Sequence, residues 1–508
     1  MKKIFSIIAT LFLFISASNG QTITYSEIEK SDSRNANFEI LGKFGDNFLI
    51  YKNISRRHDL TIYNYDMTIK EILKLDFVSD KTDNIDFVTY PDHVLMIWQY
   101  QKNNIIYCKG ANVDGAGNMI GNVVDIDTTK VGLFSNVPSY DLTWSEDKKK
   151  ILMYKVQTRN DEYNLTTKVF NEVLAPLDSM RTSISYNDRR EAFGDLQINN
   201  EGTIVFTKEK QNSRPEFINT LEVNFKRLND PLITTTPVPL DDQLIQDVRI
   251  KIDNLNKQYL INSFAYRKYN GNVGGMFTAL INDSLAFTKK VINEFDDSLR
   301  QKLSNNPGYR SAFDDFYMKN IILKKDGGFI IAAEEYTRRS RFGGNYDDRY
   351  NPYSPYNSYY RYYSSPSDYF LFNRGYYGYY RPYGASTRDI IYNYDDIIAF
   401  GFNKDLKLQW NNVINKTTSD IETDNFLSFA NMNAGSEIHF LFLQKDNNKQ
   451  IISDHALQPS GEIIRYATLK SKETGWYFMP RLARQTGARQ MIIPCIVRNN
   501  IAFAKIDF

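Results

Sequence analysis

The feature that most constrains this chain is a polar turn that keeps returning. Such turns stand at Asp46, Asp92, Asp147, Glu201, Asn254, Gly327, Gly435 and Gly487, and most intervals are about fifty residues. Between the turns, short runs alternate apolar and polar residues and are rich in Tyr, Phe, Ile and Val, the pattern of half-buried strands. About fifty residues is the size of one four-stranded antiparallel sheet with its turns, the repeating module of a β-propeller. Two intervals are longer, each with a visible cause. The interval from Asn254 to Gly327 contains Val291–Ser304, VINEFDDSLRQKLS. There Ile292, Phe295, Leu299 and Leu303 share one helical face, and Asn305-Asn306-Pro307-Gly308 stops the run, so a helix between units is predicted. The interval from Gly327 to Gly435 contains a tyrosine-rich stretch, placed as an insertion at residues 337–394 between the second and third strands of the sixth unit.

The two ends of the chain fit one closed ring. The eighth unit shows strands at Phe478–Leu482, Met491–Val497 and Ile501–Phe508, and lacks a fourth. Thr22–Ile28 is a lone strand with nothing local to pair with. Laid beside Ile501–Phe508 it completes the last sheet and removes an exposed edge. The expectation is an all-β chain, a single β-propeller over residues 21–508 with eight four-stranded blades, seven being the next count. Two β-sandwich domains are the competing architecture, but no Pro/Ser-rich linker divides the chain.

The third unit reads YDLTWSEDKKKILMYK, from Tyr140 to Lys155. It resembles the repeat of the TolB-like propellers, a strand followed by Ser-x-Asp-Gly, a lysine and a hydrophobic strand. Trp144, Ser145, Asp147, Lys149, Ile151 and Tyr154 fit, while Lys148 stands where the family has glycine. Gly202 and Gly327 restore such a turn in the fourth and sixth units. The resemblance implies a propeller and little more, because such blades occur in docking proteins and in non-catalytic partners of hydrolases.

The first twenty residues read as a cleaved secretory signal. Lys2 and Lys3 precede an apolar run, Ile4–Ile15, then Ser16-Ala17-Ser18-Asn19-Gly20, with Gln21 as the mature N-terminus. Export to a periplasm, the cell surface or the medium is expected, with no transmembrane span in the mature chain. A formal net charge of +2 and no basic stripe argue against nucleic acid. The two cysteines, Cys108 and Cys495, lie in strand-like runs. They are read as buried thiols, with a disulfide open to them in an oxidising compartment. The four histidines, His58, His93, His439 and His455, lack metal-ligand spacing and are read as surface or turn residues. No nucleophile elbow, zinc motif or phosphate loop is present, so no catalytic residue, metal or cofactor is assigned. Acidic pairs at Asp241-Asp242, Asp296-Asp297, Asp314-Asp315, Asp347-Asp348 and Asp395-Asp396 read as solvated turns or strand starts.

Two stretches carry binding character. Fourteen of the thirty-five tyrosines fall between Tyr346 and Tyr383. Within them Tyr359, Tyr360, Tyr362, Tyr363, Tyr376, Tyr377, Tyr379 and Tyr380 are interleaved with Arg361, Arg374 and Arg381. Tyr and Arg dominate binding hot spots, because they offer large contact area with few rotatable bonds or a rigid donor fork. The readings weighed are a solvated loop, a segment that orders on a protein partner in the cell envelope, and a loop that stacks on glycans or a membrane interface. The second stretch is Trp476–Arg489, where Trp476, Arg481 and Arg484 could form a basic-aromatic rim patch. The functional expectation is a non-enzymatic interaction scaffold of an envelope or secretion assembly. The alternative is a glycan-binding or glycan-cleaving propeller that uses the channel mouth.

Overall fold

The computed structural model describes residues 21–29, 36–131, 140–159, 162–185, 191–194, 196–211, 217–267, 271–303, 312–340, 345–346, 390–421, 424–446, 449–472 and 475–508. These form antiparallel meanders, numbered here as units in chain order. Unit 1 runs Ala36–Phe44, Asn47–Ile54, Arg57–Tyr63 and Ile69–Lys74; unit 2 runs Thr82–Thr89, His93–Lys102, Ile105–Asp114 and Met119–Lys130. Unit 3 runs Asp141–Trp144, Ile151–Arg159, Glu162–Phe170 and Pro176–Ser185. Unit 4 runs Glu191–Phe193 with Gln197–Ile198, Ile204–Gln211, Ile218–Lys226 and Ile233–Val238, and unit 5 runs Leu244–Asp253, Gln258–Tyr266, Val273–Asn282 and Phe287–Glu294. The two share one nine-stranded sheet, but a single residue pair, Ile218 with Ile245, joins the two meanders. Unit 6 runs Phe316–Leu323, Phe329–Ser340, Ile390–Phe402 and Leu408–Ile414; unit 7 runs Phe429–Asn433, Ile438–Asp446, Lys449–Leu457 and Ile463–Arg465.

Unit 8 closes the molecule as the termini suggest. Gln490–Val497 and Asn500–Asp507 pair with each other, and Thr22–Tyr25 adds the outer strand in the register Thr22 to Asp507 through Tyr25 to Ala504. Its first strand is split into Trp476–Phe478 and Arg484–Gly487 by a 3-10 turn at Pro480–Leu482. The first strands of units 1, 2 and 8 touch, as do those of units 3 and 4, so the first strands converge on an axis.

The reason for a ring lies in the second strands. His93–Lys102 buries six consecutive residues, His93's neighbours Val94 to Gln99, so both faces of the strand are covered. A sheet buried on both faces needs another sheet on each side. The clusters supply this in sequence order. Units 1 and 2 pack through Tyr51, Phe87 and Trp98, units 2 and 3 through Ile97 and Met153, units 3 and 4 through Tyr154 and Phe206. Units 4 and 5 meet at Phe225 and Ile261, 5 and 6 at Phe264 and Phe400, 6 and 7 at Ile330 and Phe440, 7 and 8 at Leu441 and Met491. The last cluster joins Ile492 and Phe503 of unit 8 to Phe38 and Phe48 of unit 1. A cyclic set of four-stranded antiparallel sheets is a β-propeller, and the described residues are all-β apart from the short helix Asp297–Gln301 and the 3-10 turn Pro480–Leu482. Outer strands face water on one side and alternate accordingly, as in Pro176–Ser185.

The repeat read from the turns is also a physical one. Asn200 Oδ1 accepts from the Asp147 amide at 3.1 Å across 53 residues, and Asn254 Oδ1 accepts from the Asn200 amide at 2.9 Å across 54. Equivalent turns of units 3, 4 and 5 are thus bolted together on one face.

The predicted helix is a correction. Phe287–Glu294 is the fourth strand of unit 5, and the helix spans only Asp297–Gln301, capped by the Asp296 side chain on the Leu299 amide. Phe295, Leu299 and Leu303 do enter the core, but Ile292 is 41% exposed on the strand's open side. Both thiols are buried and unlinked. His58 and His439 are buried rather than at the surface; His58 Nδ1 lies 2.6 Å from the Tyr51 hydroxyl and His439 Nδ1 lies 2.8 Å from Asp454. Among the described residues no group of three or more His, Cys, Asp or Glu is placed to hold a metal, and no helix is long and apolar enough to cross a membrane.

Candidate functional site at the root of the insertion

Two neighbouring strand pairs of unit 6 are bulged at the same level. On one side Lys319 is the extra residue between the pairs Met318–Ala333 and Asn320–Ala332. On the other, Glu334 pairs with Ile397 and Tyr336 with Tyr394, which leaves Glu335 facing both Asp395 and Asp396. Bulges re-aim side chains without breaking the sheet. Here they concentrate charge in strands that are otherwise apolar.

Glu334 is fully buried and is held by three donors from three directions. Lys416 Nζ lies 2.9 Å away, Lys319 Nζ 3.4 Å, and Ser428 Oγ donates at 2.5 Å. Lys416 also donates from its backbone to Asp396 Oδ1 at 3.2 Å and from Nζ to the Tyr394 carbonyl at 2.8 Å. The Tyr394 hydroxyl donates to Asp424 Oδ2 at 2.9 Å, and Arg481 of unit 8 forms an ion pair with Asp424 and donates to the same hydroxyl. The Tyr394 ring packs on Tyr336, with centroids 4.8 Å apart, and lies 5.5 Å from Lys319 Nζ. One continuous polar network therefore joins units 6, 7 and 8 at the two strands, Phe329–Ser340 and Ile390–Phe402, that flank the insertion.

The network carries an excess of carboxylates. Glu335 Oε2 and Asp395 Oδ1 are enclosed without a hydrogen-bond partner. Burial, then the charges of Asp395, Asp396 and Asp315, push the Glu335 carboxyl up to about 8, so it holds its proton at neutral pH. Burial also raises Asp395. Lys319 is lowered to about 8, chiefly by burial and against the pull of Glu334, with Arg481 and Lys416 adding repulsion. Clustered groups titrating near neutrality mark candidate functional sites. The Asp395-Asp396 pair is a further correction: it is 8% and 0% exposed and is neither a solvated turn nor a strand start, because it lies in the middle of Ile390–Phe402, opposite Glu335.

Of the residues singled out in the sequence, Arg481 belongs to this network. Arg484 lies toward the other end of the same split strand and bonds to the Ile40 carbonyl at 2.6 Å. Trp476 is buried between units 7 and 8, edge-on to Tyr25 at 4.7 Å. The structure does not gather these three into one patch. Tyr359, Tyr360, Arg361, Tyr362, Tyr363, Tyr376, Tyr377, Tyr379, Tyr380 and Arg381 lie outside the described residues. The network residues Glu334, Lys319, Lys416 and Asp424 escape sequence reasoning, although one signal was there: the doublets Glu334-Glu335 and Asp395-Asp396 interrupt apolar strands on either side of the insertion.

No family model matches the sequence, nor does any curated protein. Among solved structures the chain is similar to the β-propeller domain of the trilobed protease from Pyrococcus furiosus, at 9% identity, 87% of this chain, 97% of that one and a TM-score of 0.34. It is also similar to prolyl oligopeptidase B from Galerina marginata bound to a 25mer macrocyclization substrate, at 9% identity, 91% of this chain and a TM-score of 0.41. The chain spans 56% of that enzyme's length. A eukaryotic initiation factor is similar at 8% identity, 88% of this chain, 91% of that one and a TM-score of 0.38. These likenesses concern the course of the chain; the propeller stands on the strand pairing and the cyclic packing above.

Proposed function

We propose that the chain is an exported, non-enzymatic propeller that acts as an interaction scaffold in a cell-envelope or secretion assembly, with the insertion as its docking arm. Counting each meander as a blade gives an eight-bladed disc. In this reading the blades are TolB-like repeats, and the third shows why the motif suits a tight turn: Ser145 Oγ donates to Asp147 Oδ1 at 2.6 Å and accepts from the Lys150 amide at 3.0 Å. The observation that carries the docking role is the root. Strands Phe329–Ser340 and Ile390–Phe402 stay paired out to Ser340 with Ile390, and hydrogen bonds from Ser428 to Glu334 and from Tyr394 to Asp424, itself paired with Arg481, tie them to units 7 and 8. The strands that flank the Tyr- and Arg-rich segment are thus fixed side by side in a rigid disc, as a recognition element needs.

Binding through such an arm gains aromatic contact area and costs the ordering of side chains on the partner. The glycan-cleaving alternative is less well supported, because its two carboxylates must flank an open bond. Glu335 and Asp395 are 9% and 8% exposed, closed in among strands. The test replaces residues 341–389 by a short Gly/Ser linker between Ser340 and Ile390 and compares what each form retains from native membranes. The scaffold reading expects the variant to fold and to lose a discrete partner that the complete chain retains. Equal recovery of that partner by both forms counts against the arm.

A further inference from the structure

The turn of unit 3 differs from those of units 4 and 6. After their first strands, units 4 and 6 use Gly202 and Gly327 for the left-handed position, at φ of +91° and +82°. Unit 3 places Lys148 there at φ +57°. A lysine in that region is strained, and glycine would remove the strain. The ammonium is also desolvated: burial, then the repulsion of Arg484, push it down to about 8. Its one hydrogen bond runs to the Thr89 carbonyl at 2.6 Å, and among the described residues it has no carboxylate partner. Two of its three N–H donors have no protein partner among the described residues.

A second cation arrives at the same residue from the far side of the closure. Arg484 of unit 8 donates from Nη2 to Thr89 Oγ1 at 3.2 Å and from Nη1 to the Ile40 carbonyl. Glu39 lies 3.4 Å from that guanidinium. Thr89 ends the first strand of unit 2, where the first strands of units 8, 1 and 2 adjoin. The Arg484 side chain is 18% exposed, so this inner position still meets solvent. Two cations from units 3 and 8 therefore meet over one threonine, against one carboxylate.

We propose that Lys148 and Arg484, held together over Thr89, whose own hydroxyl donates to the Leu41 carbonyl at 2.9 Å, form an oxyanion-binding site near the axis of the propeller, suited to the phosphate or carboxylate of a small ligand. An oxyanion seated there would take the remaining ammonium donors and the edge of the guanidinium fork, and would offset the cost of burying an unpaired charge. The site is independent of the insertion, so it stands or falls apart from the docking role.

The complete mature chain is titrated at pH 7 with inorganic phosphate and, separately, with acetate, at constant ionic strength set by chloride. Calorimetric heat and the thermal midpoint are read. A saturable response to either ion beyond the chloride control is expected, and which ion acts distinguishes a phosphate site from a carboxylate site. Lys148→Gly should begin with a higher midpoint, because strain is relieved, yet bind at least tenfold more weakly. Lys148→Arg should retain binding. No saturable response in the complete chain, or unchanged affinity in Lys148→Gly, overturns the site.

Discussion

Glu334 is a fully buried carboxylate held by Lys416, Lys319 and Ser428. Removing one partner of such a pair strands the other charge in low dielectric. Lys416→Met is therefore expected to lower stability by about 3–5 kcal/mol, read from urea unfolding at pH 7. Glu335 acts in the opposite sense. Its folded-state pKa, about 8, lies above that of an unfolded glutamate. Below the unfolded value both states are protonated; between the two values only the folded state holds the proton, so stability falls as pH rises toward 8. Glu335→Gln keeps the shape and removes the titration. The variant should match the parent near pH 4, exceed it at pH 8, and show a flatter pH profile between. A profile identical to the parent's would mean that Glu335 ionises freely in the folded chain.

Elements show where local pattern suffices and where it fails. The returning turns located the meanders because turn residues and strand alternation are both local. The closing strand was legible because Ile501–Phe508 lacked a partner at one end and Thr22–Ile28 lacked one at the other. Val291–Ser304 reads as one helix because Ile292, Phe295 and Leu299 satisfy helical spacing by chance across the end of a strand, a cap and a five-residue helix. The network at the root was not legible, since its partners are far apart in sequence: Ser428 and Glu334 by 94 residues, Arg481 and Asp424 by 57. Packing between units is equally hidden. Trp410 of unit 6 lies against Gly461 in the last turn of unit 7, and a Cβ there would collide with the indole at a φ of +90°. Gly461→Ala should cost about 1–3 kcal/mol through overpacking and backbone strain, measured by the shift in denaturation midpoint.

At the scale of the whole molecule, stability depends on closing the ring. Phe503 is fully buried where unit 8 meets unit 1, edge-on to Phe38 at 5.4 Å. Phe503→Ala should cost about 3–5 kcal/mol, as for other large aromatic truncations in cores. Deleting Thr22–Tyr25 should do comparable harm by a different route, since it bares the Asn500–Asp507 edge and invites association; light scattering would detect it. A closed disc holds Phe329–Ser340 and Ile390–Phe402, the strands that flank the insertion, in one frame. The central claim is that this insertion, not the disc's outer strands, meets a protein partner. The most direct measurement places a photo-crosslinking amino acid at Tyr360 or Tyr377, and at Ile72 on an outer strand as control, in cells that make the protein. The account predicts one discrete adduct from the two insertion positions and none from Ile72. No adduct at either tyrosine, or the same adduct from Ile72, would contradict it.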